Sequence, residues 1–174
     1  EPYRRQRQMC IRDRLRSVRF LQASPKRDLL FLIVFMLPGT PKDLLCYFAG
    51  LTNIRFFPLQ SYDALPALLK MADCHLVVQK RGAADAVLPS KLTNILAVGG
   101  NAVITAEAAT ELGQLCNSYP GIAVCVEPES VPALVTGIEQ ALAMPKENTV
   151  AREYAERTLE KENVLSQFIA DIRG

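Results

Sequence analysis

The sequence is poor in the residues that most often mark a catalytic or metal centre. It holds a single histidine, His75. With one imidazole, neither a Ser/His/Asp triad nor a two-histidine metal motif can be assembled within the chain. His75 stands in an apolar run, so a buried structural role is expected of it. The five cysteines, Cys10, Cys46, Cys74, Cys116 and Cys125, are odd in number and widely spaced, with no CxxC pair. That pattern indicates neither a zinc site nor a disulfide framework, and it suits a reducing cytosol. Cys74 and Cys125 lie in apolar runs, where a free thiol packs as a small hydrophobe.

Long hydrophobic runs are missing too. The longest, 29–37, has nine residues and stops at Pro38-Gly39, well short of the roughly 20 that span a bilayer. The basic stretch before it is too long for a signal peptide, and no Ala-x-Ala-like site follows. The chain has no internal repeat and no low-complexity tract. A cytoplasmic protein is therefore expected, with at most peripheral contact at the inner membrane.

The charge balance is also nearly empty, at +2 overall, but it is uneven. Residues 1–28 carry nine Lys/Arg against three acids, Glu1, Asp13 and Asp28. Such an arm can bind nucleic acid or anionic lipid. A nucleic-acid-binding protein is the rival this arm suggests, but no recognisable nucleic-acid fold motif accompanies it, so no nucleic acid is expected as a partner. Charge runs are usually solvated, and 9–16 has little apolar period, so 1–20 is expected to be a disordered or foreign tail. A chain that starts at Glu1 is expected to be a fragment or processed product.

What is present is ordinary for one globular domain: 49% hydrophobic and 22% charged residues over 174 positions. From residue 29 onward, short apolar runs alternate with segments of helical period. This predicts an α/β fold with a doubly wound, mostly parallel sheet over 21–174. Strands are expected at 29–34, 53–58, 74–78, 101–105 and 122–126. Helices are expected at 42–49, from 61–63 with Asp63 as N-cap, and at 89–99, 108–117, 131–144 and 149–172. In the last of these, Leu159, Val164, Leu165, Phe168 and Ile169 form an apolar face.

Ligands of open parallel sheets bind beyond the carboxyl ends of the strands. The loop after the third strand is the richest such place. Gln79, Lys80 and Arg81 suit an anion, and Gly82, Ala83 and Ala84 let it approach the backbone. The loop feeds a helix whose first turn holds Ser90 and Lys91, a hydroxyl donor and a point charge at the positive dipole end. The same residues also read simply as a helix start with a surface lysine. Glu107 and Glu111 follow the fourth strand, and Glu127 and Glu129 the fifth. Each can hydrogen-bond a sugar or merely complement a helix dipole.

The run 72–100, through Gln79-Lys80-Arg81-Gly82-Ala83 and Pro89-Ser90-Lys91-Leu92-Thr93-Asn94, resembles the donor site of retaining glycosyltransferases with two Rossmann-like lobes, the GT-B type. More narrowly, 53–174 is similar to bacterial colanic-acid (exopolysaccharide) biosynthesis glycosyltransferases, described as fucosyltransferases. The resemblance implies a single carboxyl-terminal lobe that binds a nucleotide-sugar donor, plausibly GDP-fucose. Transfer with retention to a lipid-linked oligosaccharide would need an amino-terminal acceptor lobe that this chain lacks, leaving the fragment inactive by itself. Gly82 and Ala83 would approach the diphosphate and sugar, and Ser90 and Lys91 would hold phosphate or ribose. Asn94 stands where many relatives carry a ribose-binding glutamate. No cofactor is implied beyond the substrate, and no metal is required if Lys80, Arg81 and Lys91 supply the positive charge. Relatives carry a glycine-rich turn after the first strand, where this sequence reads Phe35-Met36-Leu37-Pro38-Gly39. The competing expectation is a non-catalytic nucleotide-binding α/β module.

Overall fold

A computed structural model describes residues 31–34, 54–57, 60–79, 81–82 and 88–173. The expected tail over 1–20 and the expected helix over 42–49 lie outside these residues. The chain divides into two compact units, Glu1–Leu65 and Pro66–Gly174. In the first, β1 (Phe31–Val34) pairs in parallel with β2 (Ile54–Phe57), Phe31 opposite Ile54 and Val34 opposite Phe57.

A 3-10 turn, Tyr62–Ala64, leads into α1 (Leu65–Met71). Asp63 sits inside that turn and is not the expected N-cap. The residue before the turn, Ser61, occupies the cap position without a side-chain hydrogen bond.

The second unit holds β3 (His75–Val78), β4 (Ala102–Thr105) and β5 (Val124–Val126), parallel and in that spatial order. Helices fill the crossovers and follow the sheet: α2 (Ser90–Ala97), α3 (Glu111–Ser118), α4 (Val131–Ala143), α5 (Thr149–Thr158) and α6 (Lys161–Arg173). Parallel strands need such crossovers because the chain must return to the same end of the sheet.

β4 is the middle strand, and each of its four residues is buried. Its alternating side chains separate two packed layers. Ala102 and Ile104 join Leu92, Ile95 and Leu96 of α2, Leu112 and Leu115 of α3, Ile122, and Ala151, Tyr154 and Ala155 of α5 in one apolar cluster. Val103 points the other way, toward α4. A methyl group built on Gly137 would stand 3.1 Å from Val103 Cγ1 and 2.7 Å from Val126 Cγ1. Leu134, Ile138 and Ala141 are buried along the same stripe of α4. With helices on both faces, the sheet is doubly wound, as the alternating pattern predicted. Burying each Leu or Ile of the cluster contributes on the order of 1.5–3 kcal/mol.

Local chemistry fixes the helix ends. Thr110, Ser130 and Asn148 cap α3, α4 and α5, accepting from the backbone N–H of Gly113, Ala133 and Ala151. α2 ends in paired hydrogen bonds, Gly99 N–H to Leu96 O at 2.9 Å and Gly100 N–H to Ile95 O at 2.9 Å. That closure requires the left-handed φ of +66° that Gly99 adopts.

The helix expected over 149–172 is broken at Leu159 and Glu160. The side chain of Asn163 donates to Glu156 O at 2.8 Å, and Val164 N–H restarts the ladder on Glu160 O at 3.0 Å. Leu159 then turns in against the main cluster. The rest of the expected apolar face is exposed: Val164, Leu165, Phe168 and Ile169, together with Ile172. The pattern of α6 is amphipathic, but its apolar side is not part of the core.

Candidate functional site

The parallel strands bring the segments after β3, β4 and β5 to one end of the sheet. Thr105, the last residue of β4, ties two of them together. Its hydroxyl donates to Gln79 O at 2.8 Å and accepts from Gln79 N–H at 2.6 Å. Of the residues singled out in the loop after β3, Gln79, Arg81 and Gly82 are described. Lys80 and Ala83 lie outside the described residues.

Arg81 is the hub. Its Nη1 donates to Glu107 Oε1 at 3.4 Å and its Nη2 to Glu127 Oε1 at 2.7 Å. The adjoining Gly82 N–H donates to Glu107 Oε2 at 3.3 Å. The hydrogen bond to Glu127, helped by the negative charges of Glu127, Glu107 and Glu129, raises the guanidinium further above its ordinary range. Gly82 is exposed with φ +68°, and an added Cβ would meet nothing within 4 Å. Glycine is favoured there by the left-handed backbone, not by crowding. Glu107 is held from behind by Thr110, whose hydroxyl donates to Glu107 O at 2.7 Å.

The start of α2 is a second group. Pro89 occupies the N-cap position and supplies no side-chain acceptor, in contrast to the capped starts of α3, α4 and α5. Proline also presets φ for the helix that follows. Ser90 is the first helical residue and exposed. The Lys91 ammonium donates to Leu76 O at 2.8 Å, which anchors it along β3. Asn94 is exposed one turn on, at the (i, i+4) position from Ser90 and therefore on the same face. Glu111 opens α3, exposed beside its positive dipole end, and is not among the ion-pair partners of Arg81.

The structure therefore joins Arg81, Gly82 and Glu107, and sets Ser90, Lys91 and Asn94 along one helix end. It adds Glu127, which the sequence presented only as one of two ambivalent glutamates after the fifth strand. His75 is buried, with Nε2 at 3.0 Å from Leu69 O. Burial is the main cause that lowers its pKa, and the positive charges of Lys91 and Lys146 act in the same direction. Among the described residues, no group of three or more His, Cys, Asp or Glu is placed to hold a metal ion, and no helix is long and apolar enough to cross a membrane.

Residues 40–158 match the family described as glycosyl transferases group 1, and the chain belongs to it. It is 86% identical over 125 residues to an Escherichia coli (strain K12) protein named as the colanic acid biosynthesis glycosyl transferase WcaI. That match takes in 72% of this chain and 31% of the relative, so the chain spans about a third of the relative's length.

Two solved structures share the fold. A sucrose-phosphate synthase from Thermosynechococcus elongatus superposes with a TM-score of 0.68 at 17% identity, over 94% of this chain and 41% of that one. WaaG, a glycosyltransferase involved in lipopolysaccharide biosynthesis, superposes with a TM-score of 0.59 at 18% identity, over 93% of this chain and 42% of that one. The fold shared with these structures is the Rossmann-like α/β fold of the GT-B type.

Proposed function

We propose that this chain is the donor-binding lobe, taken as 21–174, of a retaining glycosyltransferase of colanic-acid exopolysaccharide biosynthesis. The observation that carries this reading is the 86% identity to the WcaI protein across 125 residues, a span of the same order as residues 40–158 matched to the family. The donor is a nucleotide-diphospho-sugar, taken here as GDP-fucose. The acceptor is a lipid-linked oligosaccharide met through the portion of the relative that this chain does not span. The enzyme works in the cytoplasm, peripheral to the inner face of the membrane.

In this reading the diphosphate lies between the loop at Arg81-Gly82 and the start of α2. Backbone N–H groups, the dipole of α2 and the bases Lys80, Arg81 and Lys91 offset its charge as the sugar departs. This is electrostatic stabilisation of a leaving group and involves no protein nucleophile. Such a site functions without a metal. Gly82 and Ala83 admit the diphosphate, Ser90 donates to it, and Asn94 hydrogen-bonds the ribose. Gln79, Glu107 and Glu111 line the sugar side.

Calorimetric titration of the chain with GDP, UDP and their sugar conjugates tests the reading. GDP and GDP-fucose should bind more tightly than the uridine series. Lys91→Ala and Ser90→Ala should each weaken binding, Lys91→Ala by about tenfold, in line with loss of a charge-assisted contact. No binding of any nucleotide, or unchanged affinity in both variants of a folded chain, would overturn the assignment.

A further inference from the structure

β4 carries three apolar residues and then a threonine, Ala102-Val103-Ile104-Thr105. Thr105 is buried like the others, with 2% of its surface exposed, so a ligand does not reach it. Valine has almost the same shape and suits a buried strand equally well, so packing gives no reason for the hydroxyl. A buried hydroxyl is costly unless it is bonded. Here both of its functions are used on one residue: it accepts from Gln79 N–H at 2.6 Å and donates to Gln79 O at 2.8 Å. Its single proton is committed, and none is left to donate elsewhere.

Gln79 follows β3 directly and begins the turn that carries Arg81 and Gly82. That turn is tied again further out, where Glu107 accepts from Arg81 Nη1 at 3.4 Å and from Gly82 N–H at 3.3 Å. The outer bonds are exposed to water and therefore weak. The inner pair is shielded, and leaving it unmade costs more, so it fixes where the turn leaves the sheet. On the far side, Ala106 N–H donates to Val126 O at 3.1 Å, which holds the end of β4 to β5. The turn after β3 is thus hung from the middle strand of the sheet.

We propose that Thr105 is a positioning residue for the nucleotide donor, a role that rests on the donor-lobe reading above. Without touching the donor, its hydroxyl holds Gln79 so that the Arg81-Gly82 backbone stands ready for a nucleoside diphosphate. Thr105→Val loses both bonds and frees the turn to leave β3 in other directions. Binding must then order the turn again, which lowers affinity although no contact to the ligand is removed. Serine supplies the same donor and acceptor, so Thr105→Ser restores the turn.

Calorimetric titration with GDP, and hydrogen exchange without nucleotide, test the proposal on the folded chain. Thr105→Val should bind GDP about tenfold more weakly or worse, and its Gln79 and Gly82 amides should exchange faster by a similar factor. Thr105→Ser should stay within about threefold of the parent in both readouts. Ile104→Val, one position earlier in the same strand, removes a buried carbon instead. It should be less stable in urea yet bind GDP as the parent does, which separates positioning from a general loss of stability. The positioning role falls, and the donor reading stands, if the parent binds GDP and Thr105→Val binds it as tightly. The same holds if Thr105→Ser is as impaired as Thr105→Val, or if Ile104→Val loses as much affinity. A parent chain that binds no GDP overturns the donor reading and, with it, the role given to Thr105.

Discussion

Arg81 and Glu127 are 46 positions apart in the sequence, yet the guanidinium meets the carboxylate at 2.7 Å. The parallel order β3-β4-β5 makes the meeting possible. The loops after the two outer strands reach over the end of the middle one, and Glu107, which follows that middle strand, supplies the second carboxylate. If a nucleoside diphosphate uses the same guanidinium, it must displace carboxylates from it. Both bridges are solvent-exposed, so they are weak and easily exchanged. Glu127→Gln should therefore tighten GDP binding by a few-fold at low salt, with the gain shrinking as salt screens the pair. Arg81→Ala should weaken it. Calorimetry at two ionic strengths checks both signs, and an unaltered affinity in Glu127→Gln would remove Arg81 from the donor site.

Gly113 links packing to that cluster. It sits in the first turn of α3, where its N–H donates to the capping Thr110. A Cβ there would overlap Glu107 O and stand 2.7 Å from Ala108 Cα, both backbone atoms that cannot swing aside. Alanine ordinarily stabilises a helix relative to glycine. Here Gly113→Ala should destabilise the fold by roughly 1–3 kcal/mol through overpacking, and it should also shift Glu107 away from Gly82. Urea unfolding reads the first effect. Altered hydrogen exchange at the Gly82 amide reads the second.

Asn148 is the polar joint of the second unit. Buried, it accepts from Ala151 N–H at 3.0 Å as the cap of α5. Its amide donates to Gly121 O at 2.9 Å and Ile122 O at 3.3 Å, and its own N–H donates to Gly99 O at 2.8 Å. Asn148→Ala loses the cap and removes the amide donor from the exposed Gly121 carbonyl and the buried Ile122 carbonyl, for about 2–4 kcal/mol in total. Asn148→Asp keeps the capping oxygen but turns a carboxylate toward those two carbonyls. It should be destabilised as well, and more so at neutral than at acid pH. A variant Asn148→Asp as stable as the parent would reduce the residue to a cap.

Much of this architecture is legible in the sequence because it depends on local pattern. The apolar runs at His75–Val78 and Ala102–Thr105, the glycine stop at Gly99 and the helix beginning at Ser90 need only periodicity and turn chemistry. What depends on pairing is hidden. Nothing near Glu127 announces that Arg81 will be its partner, since that follows from strand order. The break at Leu159 is masked by a continuous run of helix formers, and only the reach of the Asn163 amide to Glu156 O reveals it. The bonds of Asn148 to Gly121 and Ile122 likewise require the tertiary fold.

His75 carries a prediction about acid. Its imidazole is buried and bonded at Nε2 to Leu69 O, with Lys91 and Lys146 adding unfavourable positive charge. Its pKa in the folded chain therefore lies below the ordinary 6.5 it regains on unfolding. Below that ordinary value the unfolded chain binds the extra proton, so acid favours unfolding. The contribution of a neutral His75 is fully present above pH 6.5 and is lost as pH falls below it, until the folded imidazole itself takes the proton. The slope cannot exceed one proton, roughly 1.4 kcal/mol per pH unit. His75→Gln, which retains a donor for Leu69 O, should be less stable than the parent at pH 7.5 yet lose less stability between pH 7 and 5. Urea midpoints for the two proteins across that range decide the matter, and parallel curves would mean that the buried imidazole does not drive the acid response.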